Sequence, residues 1–212
     1  TSGYNSICWS PELSLFVAVA SSGTNRVQTS PDGITWTSRT QAEANDWYAV
    51  CWSPELSLFV AVSQTGTNQV QTSPNGTTWT ARAAISGNWH SVCWSAELGL
   101  FAAVAWAGSN FIMTSSNGTT WTARTAAENN QWRSVCWSQD LSLFVAVSST
   151  GTNQVQTSPD GITWTARAEA EANQWYAVCW SSSLMLFAAV STNGVHGAMT
   201  SDASRTTELQ YI

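Results

Sequence analysis

The chain has 212 residues, of which 43% are hydrophobic and only 9% charged, with a formal net charge of −6. So few charges exclude a solvated coiled coil and a charge-rich disordered tail. There is no lysine, and the seven basic residues are scattered arginines, which excludes a nucleic-acid surface that tracks phosphates. No apolar run approaches a membrane span and no signal peptide opens the chain, so membrane insertion is not expected. The chain begins at Thr1, and the reading expects a processed product or an excised segment.

Fourteen tryptophans give the organisation away. Cys8, Cys51, Cys93, Cys136 and Cys179 stand 43, 42, 43 and 43 residues apart, and each opens a Cys-Trp-Ser triplet. A fixed period of this length means a solenoid, a propeller or an array. Val50–Arg82 and Val135–Arg167 share 28 of 33 residues, the mark of recent duplication or deliberate construction. The repeat consumes the whole chain as 4–46, 47–88, 89–131, 132–174 and 175–212, leaving no room for a second domain.

The first repeat starts at its inner strand, with Tyr4 where later repeats carry Trp47, Trp89, Trp132 and Trp175. The second repeat is the clearest. Trp47–Ser53 reads as a first strand, turned by Pro54-Glu55. Leu56–Val62 is apolar on both faces, as in a strand buried between stacked sheets. Gln64–Asn68 is a loop, Gln69–Ser73 a third strand, Pro74-Asn75-Gly76 a hairpin turn and Thr77–Arg82 a fourth strand. The third and fourth repeats follow suit. The fifth keeps Cys179-Trp180-Ser181 and Leu184–Val190, loses the Gly and Trp of the outer hairpin, and retains an outer strand within Arg205–Ile212. Four antiparallel strands per repeat, five times, predict an all-β, five-bladed β-propeller with about 43 residues per blade. No blade is expected to combine both chain ends, so closure would rest on packing between blades one and five.

The outer hairpins read Ser30-Pro31-Asp32-Gly33-Ile34-Thr35-Trp36, Ser73-Pro74-Asn75-Gly76-Thr77-Thr78-Trp79, Ser115-Ser116-Asn117-Gly118-Thr119-Thr120-Trp121 and Ser158-Pro159-Asp160-Gly161-Ile162-Thr163-Trp164. They resemble the Asp-box of sialidase-type propeller repeats, with one residue fewer between Asp and Trp and Asn for Asp in two copies. In that family the box is structural, so the resemblance implies fold and not activity. The five-fold architecture also resembles the tachylectin-type lectins.

Catalysis is not expected. Arg39, Arg82, Arg124 and Arg167 occupy one equivalent position in four blades, whereas an active site breaks symmetry. An odd number of equivalent cysteines, with no Cys-x-x-Cys and with His90 and His196 far from ligand spacing, points to free buried thiols, no metal and no cofactor. The Cys-Trp-Ser and Thr-Trp-Thr tryptophans read as inter-blade core. Trp47, Trp89, Trp132 and Trp175 follow polar loops and share a face with the loops bearing Asn25, Asn68, Asn110 and Asn153. There they either anchor the loops or stack on a ligand whose hydroxyls meet the amides. Low charge favours a neutral ligand. The expected function is a non-catalytic, multivalent carbohydrate-binding propeller, monomeric, with neutral glycans as partners at an extracellular or virion surface. The alternative is a scaffolding module or a repeat assembled without a ligand.

Overall fold

In the computed structural model, which describes residues 3–201 and 209–211, all regular structure is strand. Each repeat folds on itself into a four-stranded antiparallel sheet of consecutive strands. The first blade is β1 (Tyr4–Ser10), β2 (Leu15–Ala20), β3 (Val27–Ser30) and β4 (Thr37–Arg39). The second is β5 (Trp47–Ser53), β6 (Leu58–Ser63), β7 (Val70–Ser73) and β8 (Thr80–Arg82). The third is β9 (Asn88–Ser95), β10 (Leu100–Ala107), β11 (Ile112–Ser115) and β12 (Thr122–Arg124). The fourth is β13 (Trp132–Ser138), β14 (Leu143–Ser148), β15 (Val155–Ser158) and β16 (Thr165–Arg167). The fifth is β17 (Trp175–Ser181), β18 (Leu186–Ser191), β19 (Ala198–Ser201) and β20 (Leu209–Tyr211). This is the all-β, five-bladed propeller that the repeat predicts, with no blade shared between the chain ends.

A blade's two faces each bury against a neighbour, which is why the second strand of each repeat is apolar on both sides. Val17, Val19 and Val27 of the first blade meet Trp47, Val50, Trp52, Phe59 and Trp79 of the second. The same seam recurs at the next three blade junctions. Each seam is pinned at its inner end. Trp52 Nε1 donates to Glu12 at 2.7 Å, Trp94 to Glu55 at 2.6 Å, Trp137 to Glu97 at 2.7 Å and Trp180 to Asp140 at 2.9 Å.

The outer hairpins of blades two, three and four close the first three seams at the rim. In the fourth blade, Asp160 Oδ1 accepts the backbone N–H of Ile162 and of Thr163, and Trp164 Nε1 donates to the Gly161 carbonyl. Gly161 has φ +71°, and a Cβ there would lie 2.7 Å from Leu100 of the preceding blade. Only glycine permits both the left-handed backbone and the close approach. The outer-strand arginines brace their own blade. Each Nε donates to a third-strand threonine, as in Arg82 to Thr72 at 3.0 Å and Arg124 to Thr114 at 2.9 Å.

Among the described residues, blades one and five do not form a junction comparable to the other four. Inner strands pack β1 on β5, β5 on β9, β9 on β13 and β13 on β17, with no such junction from β17 to β1. The face of blade one that would receive a preceding blade leaves Ile7 and Trp9 exposed, and the far face of blade five exposes Val190. Residues 202–208, where the fifth outer hairpin was sought, lie outside the described residues.

Candidate functional site

The loop-borne constellation expected from sequence is not a ligand platform. Trp47, Trp89, Trp132 and Trp175 have 0% exposure. Each ring is sealed within a seam, and its indole N–H donates to the carbonyl four residues earlier, Glu43, Ile85, Glu128 or Glu171. No face remains for stacking, so they anchor the loops. The neighbouring amides do the same work. Asn68 and Asn153 donate to the carboxylates of Glu43 and Glu128. Asn45 and Asn130 in turn donate to the carbonyls of Asn68 and Asn153, both at 2.7 Å. Of the four candidate asparagines, Asn25 is exposed and Asn110 lines a small cleft beside Arg124 and Asn129. The two kinds of loop do share a face, as expected, but they are tied to each other.

The cysteines are free, as expected, yet not fully sequestered: four are half-buried and Cys179 is exposed. Burial still pushes the Cys8 thiol up to about 12. Neighbouring thiols lie within electrostatic reach of one another, Cys51 sensing Cys8 and Cys93. Among the described residues no three His, Cys, Asp or Glu side chains cluster as metal ligands.

Two other groups of side chains converge on the central axis, one at each end of the inner strands. At the turn end is a bowl of about 360 Å³ lined by Pro54, Trp94, Glu97, Trp137, Asp140 and Trp180 among others. The sequence reading placed these Cys-Trp-Ser indoles in the inter-blade core. Trp52 is indeed buried, but Trp94, Trp137 and Trp180 are half-buried at the bowl wall. Each is oriented by the carboxylate that takes its N–H. That single bond occupies one oxygen and leaves Glu97 and Asp140 with acceptor capacity toward the bowl. The sequence did hold the signal: Glu12, Glu55, Glu97 and Asp140 each precede a Cys-Trp-Ser indole by 40 residues or so.

At the loop end, every inner strand carries a bulge near its start. The register slips between Tyr4 and Ser6, Trp47 and Ala49, Trp89 and Ser91, Trp132 and Ser134, and Trp175 and Ala177. A bulge leaves its extra residue out of the ladder and re-aims its side chain. The five extra residues are Asn5, Tyr48, His90, Arg133 and Tyr176. They meet at the axis. Tyr48 and His90 rings are 5.0 Å apart, and His90 reaches Tyr176, two blades away, at 6.4 Å. Asn5 donates to the Trp47 carbonyl at 3.1 Å, and His90 Nδ1 lies 2.7 Å from the Arg133 carbonyl. Burial lowers the His90 pKa to about 4, so the ring is neutral at neutral pH and its Nδ1–H donates.

Comparison with known proteins places the fold and nothing finer. No family model matches the chain, and no curated protein matches it. Solved structures do. A chain of the nidogen/laminin complex superposes with a TM-score of 0.73 at 11% identity, covering 100% of this chain and 81% of that one. YCF48 from Cyanidioschyzon merolae superposes with a TM-score of 0.69 at 17% identity, covering 100% and 71%. YCF48 bound to D1 peptide does so with 0.69 at 17%, covering 99% and 66%. The likeness is one of propeller fold. Among the described residues, no helix is long and apolar enough to cross a membrane.

Proposed function

We propose that the chain is a non-catalytic binding propeller whose tryptophan bowl takes a neutral sugar. One observation carries the reading: three indoles converge with two carboxylates on a cavity of about 360 Å³. Pockets of this size suit small ligands. A pyranose presents an apolar face to an indole and hydroxyl donors to a carboxylate. Glu97 and Asp140 are held in place by the indole bonds, so their acceptors are pre-organised. The bowl replaces the loop-borne tryptophans as the place where the sugar reading finds its aromatic surface. The setting proposed with it is an extracellular or virion surface.

The test is a glycan array followed by titration calorimetry. Binding should fall at least tenfold in Asp140→Asn, which keeps size and loses charge, and in Trp137→Ala. Selective binding that ignores both variants would move the site elsewhere. A blank array at high protein density would leave the scaffolding reading, which the nidogen chain supports by being solved in complex with laminin.

A further inference from the structure

The bulge ring breaks the repeat. Blades two and four share 28 of 33 residues between Val50–Arg82 and Val135–Arg167, yet the bulged position reads Tyr48 in one and Arg133 in the other. Trp106 also stands alone, at a position that is Gln64 in blade two and Ser149 in blade four. These departures meet in space. The Arg133 guanidinium carbon lies 4.7 Å from the Trp106 ring centroid and 4.8 Å from that of Tyr176. Its Nε donates to Ser149 Oγ at 2.9 Å, and Ser149 Oγ is 3.3 Å from Gln131 Oε1.

The cation is therefore gripped but not neutralised. Among the described residues the ion pairs are Arg26 with Asp46 and His196 with Glu171, and no carboxylate reaches Arg133. Among the described residues its two terminal nitrogens carry no hydrogen bond, and His90 beside it contributes no charge at neutral pH. An arginine whose guanidinium carbon lies over two aromatic rings, with its terminal nitrogens unused, can present N–H donors matched to a planar carboxylate. Aromatic contact keeps the guanidinium in one geometry, so little freedom is lost when the anion arrives.

We propose that this edge of Arg133 is a carboxylate-binding site at the loop end of the axis, for an acid flanked by an apolar or aromatic group that can lie against Tyr48 and Tyr176. It is separate from the bowl. Arg133 and Trp137 are four residues apart on one strand, roughly 13 Å at strand rise, so either site can fail without the other.

The carboxylate can come from a small acid or from the end of a peptide, and the experiment has an arm for each. The arginine Nε–H signals of ¹⁵N-labelled protein are few, and the Arg133 signal is identified by its loss in Arg133→Lys. Benzoate should shift it saturably while benzamide, of the same shape without the charge, does not. A short peptide ending in a free phenylalanine carboxylate should compete, and its amidated form should not. Competition by that peptide at least tenfold more tightly than benzoate assigns the natural source to a peptide, and equal affinity to a small acid. Arg133→Gln should abolish binding of both. Equal shifts from benzoate and benzamide, no shift from any carboxylate, or unchanged affinity in folded Arg133→Gln would each overturn the proposal.

Discussion

Two neighbouring positions near the start of each inner strand obey opposite rules. The first is tryptophan in four of five blades, fully buried, with its N–H satisfied at home. The second is Asn5, Tyr48, His90, Arg133 or Tyr176, thrown out of the ladder by a bulge and brought against its counterparts from other blades. Seams between blades demand the same shape each time, so repetition there is a packing requirement. The axis has one centre and five contributors, which here are Asn, Tyr, His, Arg and Tyr. The lesson is that in a repeat protein sameness marks structure, and the places where copies disagree are where a single, asymmetric site can be built.

The sharpest break in this contrast is a pair of neighbours. Trp132→Ala empties a sealed seam and should lower unfolding free energy by about 3–5 kcal/mol in urea denaturation. Arg133→Gln should cost about 1 kcal/mol, the worth of its aromatic contacts. Comparable losses would mean that the bulge ring is as structural as the seam. The next contrast sets inner blades against the first. Gly161→Ala forces a Cβ into Leu100 at positive φ and should cost about 2–3 kcal/mol, whereas Gly33→Ala meets no preceding blade and should cost about 1 kcal/mol. Equal melting temperatures for the two variants would show that the outer hairpins do not seal the seams.

A smaller effect separates the groups by pH. His90 has its folded pKa lowered to about 4 from an ordinary 6.5. Its contribution is complete above about pH 6.5 and is lost as pH falls toward 4, because the unfolded chain takes up the proton first. His90→Gln should flatten stability across that window. Asp32 acts lower: the Thr35 and Ile34 N–H bonds bring its pKa down to about 2 from 3.8, so its contribution holds above about pH 4 and fades as pH falls through 2. Smallest of all is a kinetic difference among thiols. A thiol reagent should modify exposed Cys179 first and the half-buried four later. Uniform labelling, read by mass spectrometry, would place all five in one environment.

How far the sequence carried the reader depended on regularity. Trp47–Ser53 matches its strand at both ends because the Pro-Glu turn and the tryptophan bound it, while Thr77–Arg82 shrinks to Thr80–Arg82 because Asn75 Oδ1 takes the N–H groups of Thr77 and Thr78 into the turn. The seam and its acidic clamps follow from alternation plus the repeat. The bulges do not: period-two reading assumes an unbroken ladder, and a slip of one residue reverses which side chain faces the axis. That slip also misled the site reading, since Trp47 follows a polar loop and looks exposed until its register is known. The one sequence trace of the bulge ring was its uneven filling, Asn5, Tyr48, His90, Arg133 and Tyr176 where the flanking positions repeat.

The seams have a consequence for how the molecule comes apart. All four clusters of buried side chains draw on two adjacent blades, so no blade owns a core that would let it fold alone. The unit of cohesion is the junction, and among the described residues five blades share four of them. Such a molecule behaves as a short one-dimensional array, in which an inner blade is held from both sides and an end blade from one. Amide exchange should therefore run in graded order, fastest in β1–β4 and β17–β20 and slowest in β9–β12, tracing position along the array more closely than local sequence.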